Sequence, residues 1–209
     1  MTQITLALAK GRTAKDSIKL LNKAGIYFPD FHEKSRKLVF FSEDQAIKMI
    51  YVKAVDVTTY VEQGAADVGI VGKDNILESE ADVYELLDLK LGMCKFSIAS
   101  LHKKTIEKGT PVKVASKYPI VTRNYFKKLG VPVEIIKLNG SVELAPIIGL
   151  ADYILDIVET GNTIRENGLT IIADVDDIST RLIVNKASFA TKTNEIRQLI
   201  TQLKSVIEE

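Results

Sequence analysis

The 209-residue sequence predicts an α/β protein of two lobes, with a chain that crosses between the lobes twice. Three observations favour this fold class. Short apolar segments alternate with segments of helical periodicity, one seven-residue pattern occurs twice, and two apolar segments are long enough to join one lobe to the other. Alternation of strands with helices is typical of parallel sheets, so each lobe is expected to contain one.

The first lobe is predicted to open with a strand and a helix. Ile4 to Ala9 is an apolar run. A helical pattern of apolar residues follows over 18–21 and ends at Gly25, because glycine commonly closes a helix. Leu38 to Phe41 is a second candidate strand.

Two further helices are predicted in this lobe. Ser42, with Gln45 three residues later, fits a capping box for a helix that holds Ile47 and Ile50. Asp56 is expected to cap the next short helix, over 57–63. A buried strand then runs through the segment from 66 to 74 into a glycine-bearing turn.

A short internal repeat indicates that the two lobes are similar. Gly64 to Ile70 (GAADVGI) aligns with Gly149 to Leu155 (GLADYIL), and each copy follows a helical stretch and precedes a strand with a polar loop. Chance remains an alternative, because the match is short. If the repeat is structural, each lobe offers one loop to a ligand, since open α/β sheets bind ligands at the carboxyl ends of their strands.

Two apolar segments are predicted to connect the lobes. Leu86 to Leu101 is interrupted only by Gly92, and Ile171 to Asn185 can carry the chain back. The last helix, Asn194 to Ile207, should pack on the first lobe. The predicted lobes are therefore residues 1–88 with 181–209, and residues 89–180. This plan is similar to that of periplasmic binding proteins, which close around a ligand by a hinge.

Composition excludes several classes of protein. The 28 basic and 27 acidic residues nearly cancel, so no bulk charge favours nucleic acid or an acidic membrane. Cys94 is the only cysteine, which excludes an internal disulfide, and its apolar neighbours predict a buried, inert thiol. His32 and His102 are too far apart to predict a ligand pair. Without a secretory signal or a membrane-length apolar run, a cytoplasmic protein is expected.

The segment around residues 153–168 predicts a phosphate site. An apolar strand, Tyr153 to Val158, leads into Glu159-Thr160-Gly161-Asn162-Thr163, and Gly168 can close the short helix that follows. Such a turn directs backbone N–H groups and two hydroxyls at one spot, which suits phosphate, although an ordinary turn has the same composition. Asp156 and Glu159 favour a ligand that also carries hydroxyls or Mg²⁺.

These residues resemble the ATP phosphoribosyltransferase family, which opens histidine biosynthesis. Residues at the family's signature spacings are Glu143, Gly149, Ala151, Ile154, Asp156, Thr160, Gly161 and Thr163. Further similar blocks are Ala9 to Arg12, Tyr60 to Asp74 and Ala115 to Pro119. Ile164, where Leu or Met is usual, and Thr58, where proline is frequent, depart from the pattern as packing or capping changes.

The resemblance implies a reaction and a set of partners. The family condenses ATP with 5-phosphoribosyl 1-diphosphate (PRPP), with Mg²⁺ present, to give N1-(5-phosphoribosyl)-ATP and diphosphate. The chain has the length of the family's short form. The short form implies a homodimer of catalytic subunits that joins a regulatory subunit resembling histidyl-tRNA synthetase in a hetero-octamer.

The resemblance also implies residue roles. The PRPP-binding residues would be Asp156, Glu159, Thr160, Gly161, Asn162 and Thr163. The nucleotide-binding residues would be Lys10, Arg12, Lys73 and Asp74, and the catalytic residues would be Glu143, Asp156 and Lys10. For Lys10 and Arg12, a solvated helix start is the alternative that the residues alone favour.

Two other functions remain open on the sequence alone. A binding module of similar fold, such as a solute receptor or the effector domain of a regulator, is disfavoured because the sequence carries no secretion signal or helix-turn-helix segment. A phosphoribosyltransferase of the common type I is disfavoured because that type has two adjacent acids before its Thr-Gly loop, whereas Ile157 follows Asp156 here.

Overall fold

The computed structural model describes residues 2–101 and 105–208, so His102 lies outside the described residues. The chain forms two compact units. Unit 1 comprises Met1–Gly92 and Ser179–Glu209, and unit 2 comprises Met93–Ile178. The chain therefore passes between the units twice, once within each of the two apolar segments singled out in the sequence.

Helices and strands alternate along the described chain, as predicted. Unit 1 begins with β1 (Ile4–Lys10), α1 (Ala14–Lys23), β2 (Val39–Phe41), β3 (Ile47–Lys53), α2 (Ala54–Glu62), β4 (Val68–Gly72), α3 (Lys73–Ser79) and β5 (Tyr84–Asp88). Unit 2 contains β6 (Cys94–Ser100), β7 (Val112–Ser116), α4 (Pro119–Leu129), β8 (Val133–Lys137), α5 (Leu144–Ile147), β9 (Tyr153–Val158), α6 (Asn162–Glu166) and β10 (Thr170–Ile178). The chain returns to unit 1 with β11 (Thr180–Val184), α7 (Lys186–Thr191) and α8 (Thr193–Ile207).

Each unit is built on one mixed sheet. The strand order is β2-β3-β1-β4-β11-β5 in unit 1 and β10-β6-β9-β7-β8 in unit 2. β1 is parallel to β3 and β4, and β7 is parallel to β8 and β9. The strands that lead into and out of each crossing, β5, β6, β10 and β11, pair antiparallel. The prediction of an α/β fold with two crossings is confirmed.

The C-terminal helix packs on unit 1, as its apolar spacing predicts. Ile196, Leu199 and Leu203 of α8 are buried in one cluster with residues of β1, β3 and β4. Burying one such aliphatic side chain stabilises a fold by roughly 1.5–3 kcal/mol, so this face anchors the last helix. No helix in the described part of the chain is long and apolar enough to cross a membrane.

The helix predicted to hold Ile47 and Ile50 is wrong, because this segment is strand β3. The Ser42 hydroxyl donates to Asp44 at 2.6 Å and accepts the Ile47 N–H at 2.8 Å. Gln45 has a φ of 58°, which belongs to a tight turn. The capping-box residues therefore close a β-hairpin, and the alternating burial of β3 places it in the sheet centre.

The helix predicted over 57–63 exists, but it begins earlier than its predicted cap. α2 starts at Ala54, so Asp56 lies in its first turn and Lys53 occupies the N-cap position. An acid in the first turn still stabilises the helix through its dipole. The predicted stop at Gly64 is confirmed, because that glycine adopts a φ of 70° just after the helix.

Candidate active site

The predicted strand and its following helix are both present. β9 spans Tyr153–Val158, and α6 spans Asn162–Glu166 with Gly168 in the left-handed region behind it. Gly161 also has a positive φ, 73°, which a side chain would strain. The strand therefore ends in a sharp turn that depends on glycine.

The loop between β9 and α6 is exposed and held by its own side chains. The Thr160 hydroxyl accepts the Asn162 N–H at 3.4 Å, and the Asn162 side-chain oxygen accepts a hydrogen bond from Arg165. The Asn167 amide donates to the Thr163 carbonyl at 2.9 Å. Backbone N–H groups in the first turn of a helix have no intrahelical acceptor. The loop can therefore offer amides and two threonine hydroxyls to an anion.

The neighbouring parallel strand fixes the edge of the sheet beside this loop. The Ser116 hydroxyl donates to the Leu155 carbonyl at 2.6 Å and accepts the Tyr118 N–H at 2.9 Å. The Tyr118 ring packs edge-on against Phe96 at 4.8 Å between centroids. The block from Ala115 to Pro119 thus lies at the carboxyl edge of the same sheet as the loop, because parallel strands end on one side.

A cavity of about 410 Å³ opens beside the loop within unit 2. Glu159, Thr160 and Gly161 form part of its wall. The sequence prediction missed the polar residues of its other walls, which are Lys95, Ser97, Asp174 and Asp177. The available signal was a lysine and a serine two residues apart within an apolar strand, which places both on one face of that strand.

Charges in this cavity are paired. The Lys95 ammonium lies 2.7 Å from one Asp174 oxygen, and the Ser97 hydroxyl donates to the other at 2.9 Å. The hydrogen bond from Lys95, followed by the one from Ser97, lowers the pKa of Asp174. The same hydrogen bond to Asp174 raises the pKa of Lys95. The cavity therefore holds a charged lysine against a charged carboxylate.

The candidate acids occupy different places in unit 2. Asp156 is half-buried in β9, three residues before Glu159. Glu143 is half-buried at the N-cap position of α5 and is not among the described residues that line the cavity. Cys94 is buried with a free thiol, as predicted, in the first position of β6.

The predicted nucleotide-binding residues all lie in unit 1. Lys10 ends β1 with its ammonium 5.1 Å from the centre of the Tyr51 ring, and Arg12 is exposed in the turn that follows. Lys73 and Asp74 begin α3, directly after β4. Because β1 and β4 are parallel neighbours, their carboxyl ends bring these four residues to one edge of the sheet.

The acids near the loop fit Mg²⁺ in one manner only. Among residues 2–101 and 105–208, no group of three or more His, Cys, Asp or Glu side chains is placed to hold a metal. Mg²⁺ usually keeps several waters and binds through one or two carboxylates plus substrate phosphates. Asp156 and Glu159, at the end of β9, supply carboxylates of that kind.

Two solved structures of low sequence identity define the class of fold. The alkanesulfonate-binding protein SsuA from Xanthomonas axonopodis pv. citri superposes with a TM-score of 0.55 at 12% identity, over 99% of this chain and 73% of that one. A periplasmic sulfonate-binding protein from Methylobacillus flagellatus gives 0.60 at 16% identity, over 99% and 68%. The chain has the periplasmic-binding-protein-like fold that the sequence predicts.

Closer similarities define the family. The ATP phosphoribosyltransferase family model matches residues 53–205. An ATP phosphoribosyltransferase from Oceanobacillus iheyensis is 58% identical over 207 residues, 99% of this chain and 100% of that protein. A chain of the solved ATP phosphoribosyl transferase (HisG:HisZ) complex from Thermotoga maritima has a TM-score of 0.85 at 35% identity, over 99% of each chain. The chain belongs to the ATP phosphoribosyltransferase family.

Proposed function

We propose that this chain transfers the phosphoribosyl group of PRPP to N1 of ATP, the first step of histidine biosynthesis. The products are N1-(5-phosphoribosyl)-ATP and diphosphate, which makes the chain a pentosyltransferase. The observation that carries the proposal is the loop from Glu159 to Thr163. It has the family's signature residues and stands exposed at the carboxyl end of β9.

The loop is proposed to bind the phosphosugar. Backbone amides and the hydroxyls of Thr160 and Thr163 would hold the 5-phosphate, with Gly161 and Asn162 shaping the turn. The positive φ of Gly161 supports this role, because it lets the backbone turn toward a ligand without a Cβ in the way. Anions bind readily where several N–H groups converge.

The acids are proposed to bind the ribose end of the substrate. Asp156, Glu143 and Glu159 would accept hydrogen bonds from the ribose hydroxyls, or hold Mg²⁺ together with the phosphates. When bound, Mg²⁺ would neutralise charge on the leaving diphosphate. The half-buried position of Asp156 supports its role, because a carboxylate partly shielded from water makes stronger contacts.

Unit 1 is proposed to supply the nucleotide-binding residues. Lys10 and Arg12 would contact phosphate oxygens as a point charge and a forked donor, respectively, and Lys73 and Asp74 would contact the rest of the nucleotide. Their common position at the carboxyl edge of parallel strands supports this role. The domain boundaries predicted from the sequence, 1–88 with 181–209 and 89–180, are proposed as the corresponding functional halves.

Catalysis is proposed to rest on positioning and electrostatics. The lone pair of adenine N1 forms a bond to the ribose C1 while the bond from C1 to the diphosphate oxygen breaks. Positive charge develops on the sugar and negative charge on the diphosphate. Carboxylates near the ribose and the Lys10 ammonium near the phosphates would stabilise these charges, so no side chain needs to form a covalent intermediate.

The assembly is proposed by family. The Thermotoga maritima match is a chain of a HisG:HisZ complex, which supports a regulatory subunit as the partner. We propose a homodimer of this chain that joins a regulatory subunit resembling histidyl-tRNA synthetase in a cytoplasmic hetero-octamer.

One experiment tests the activity. The purified chain is mixed with ATP, PRPP and Mg²⁺, with and without the regulatory subunit, and the ultraviolet absorbance of the product is followed. Product that requires both substrates supports the proposal. No product in either mixture, from a chain that circular dichroism shows to be folded, would refute it.

A further inference from the structure

Polar side chains form a row across three strands of the unit 2 sheet. Ser97 on β6 lies directly opposite Asp156 on β9, and it also lies opposite Asp174 on β10. Residues directly opposite in antiparallel strands project to the same face of the sheet. Asp156, which is proposed to bind PRPP, therefore shares a face with Ser97 and Asp174.

A second row follows toward the loop, and a β-bulge determines its members. Lys95 lies opposite Val158, the last residue of β9, and opposite Asp177. Lys95 and Ser97 are two residues apart, whereas their partners Asp174 and Asp177 are three apart. The register shift between Asp174 and Asp176 accounts for the difference. Bulges re-aim side chains, and this one directs two carboxylates of β10 at the lysine.

The Lys95 side chain stands at the cavity beside the loop. Its ammonium is 2.7 Å from Asp174 and 4.0 Å from Asp177, and the side chain is 51% exposed. It is the only basic residue among the described residues that line the cavity. Arg165, near the loop, is not in that lining and has its guanidinium bonded to Asn162.

The ion pair is poised to be exchanged. An exposed pair contributes only about 0–1 kcal/mol, so releasing the ammonium from Asp174 costs little. Charge-assisted hydrogen bonds to a phosphate are roughly twice as strong as neutral ones. A phosphate held by the loop next to Glu159 also needs a nearby positive charge, because that carboxylate repels it.

We propose that Lys95 is a further substrate-binding residue whose ammonium contacts the 5-phosphate of PRPP at the loop, and that Asp174 is the positioning residue that holds it there. Before the substrate binds, Asp174 keeps the ammonium at the cavity wall. On binding, the ammonium turns toward the phosphate. This inference rests on the proposed function, because it assumes that the loop binds the phosphosugar.

Binding measurements on the full chain test this role without depending on activity. PRPP, ribose 5-phosphate and inorganic diphosphate are titrated by calorimetry into the wild type, Lys95→Met and Lys95→Arg. Lys95→Met should weaken PRPP and ribose 5-phosphate at least tenfold and change diphosphate less than twofold. Lys95→Arg should retain most of the affinity. Lys113→Met is the matched control, because Lys113 forms an exposed cross-strand pair with Glu134 at the far end of the same sheet.

Coupling separates positioning by Asp174 from a general structural effect. Asp174→Asn should weaken ribose 5-phosphate binding in the wild type but have no effect when Lys95 is already Met. Equal effects in both backgrounds would overturn the positioning role. Unchanged ribose 5-phosphate affinity in folded Lys95→Met, or an equal loss in Lys113→Met, would overturn the role of Lys95. If the wild type itself binds no PRPP, the proposed function fails, which is a different result.

Discussion

The two copies of the seven-residue pattern build the same backbone feature in two different sheets. Gly64 to Ile70 leads from α2 into β4, and Gly149 to Leu155 leads from α5 into β9. The first glycine has a φ of 70° in one copy and 73° in the other. Both copies therefore turn out of a helix through a residue that only glycine accommodates without strain.

The aspartate of each copy clamps the start of the parallel neighbour strand. The Asp67 N–H donates to the Thr5 carbonyl at 2.8 Å, and its carboxylate accepts the Thr5 N–H at 2.7 Å. Asp152 makes the same two bonds to Lys113, each at 2.9 Å. The carboxylate thus continues the ladder of hydrogen bonds by one step beyond the strand.

The two clamps differ in what surrounds them. Asp67 is 6% exposed and also accepts hydrogen bonds from Ser188 at 2.7 Å and Lys192 at 2.8 Å. Asp152 is exposed, and no residue of α7 or α8 reaches it in the described chain. The comparison teaches that one local motif can tie down a distant helix in one unit and serve only its own sheet in the other.

The largest expected effect tests this difference directly. Asp67→Ala should destabilise the fold by about 3 kcal/mol, because it leaves the Lys192 ammonium and the Thr5 N–H without their buried acceptor. Asp152→Ala should cost about 1 kcal/mol, since water can replace the lost carboxylate. Urea denaturation followed by circular dichroism measures both. Equal losses in the two variants would contradict the comparison.

The opposite ends of the two strands provide the next test. β4 enters α3 directly, whereas β9 is followed by the exposed loop that is proposed to bind PRPP. Asp156→Asn and Thr163→Ala should each weaken PRPP binding by about 1.5–3 kcal/mol, roughly ten- to a hundredfold, without loss of stability. Asp152→Asn, at the other end of β9, is the control for calorimetric titration. Unchanged PRPP affinity in both loop variants would contradict the assignment of this loop.

Packing behind the two strands differs at one equivalent position. Gly69 of β4 aligns with Ile154 of β9, and a Cβ at Gly69 would lie 2.8 Å from methyl groups of Val57 and Val61. Gly69→Ala should therefore destabilise by about 2 kcal/mol through overpacking. Ile154→Val should cost about 1 kcal/mol by leaving a small cavity. Thermal unfolding of both variants measures the contrast, and a stabilised Gly69→Ala would show that α2 can move away freely.

The smallest expected effect concerns acid stability. Burial by itself raises the pKa of Asp67, but the hydrogen bonds from Lys192, Thr5 and Ser188 outweigh it and lower the pKa below its ordinary 3.8. The unfolded state therefore takes up the proton first as the pH falls. The stabilisation is present above about pH 4 and is lost as the pH falls through the lowered pKa.

Lys192→Met removes one cause of this lowered pKa. The stability of the variant should fall less steeply than that of the wild type between pH 5 and pH 2, in urea denaturation at each pH. An equal slope in both proteins would show that the ammonium has no effect on the Asp67 titration. The repeated pattern predicts the clamp, but it does not predict this partner.

Much of the fold follows from local sequence patterns. The strand Tyr153–Val158, the turn at Gly161 and the face of the C-terminal helix are as predicted, because glycine conformation and apolar periodicity act over a few residues. The hairpin at Ser42 was mistaken for a helix start, because the same serine can cap a helix or close a turn. Only the pairing of β3 with β1 distinguishes the two.

The sequence by itself determined the α/β class, the loop after β9 and the family to which this chain belongs, because each depends on residues close together in the chain. The tertiary structure alone decided that Lys95 meets Asp174, 79 residues away, and that Lys192 meets Asp67, 125 residues away. Both contacts require tertiary packing, and the first also requires a strand register that a single bulge shifts. That register depends on the whole sheet, so no local pattern encodes it.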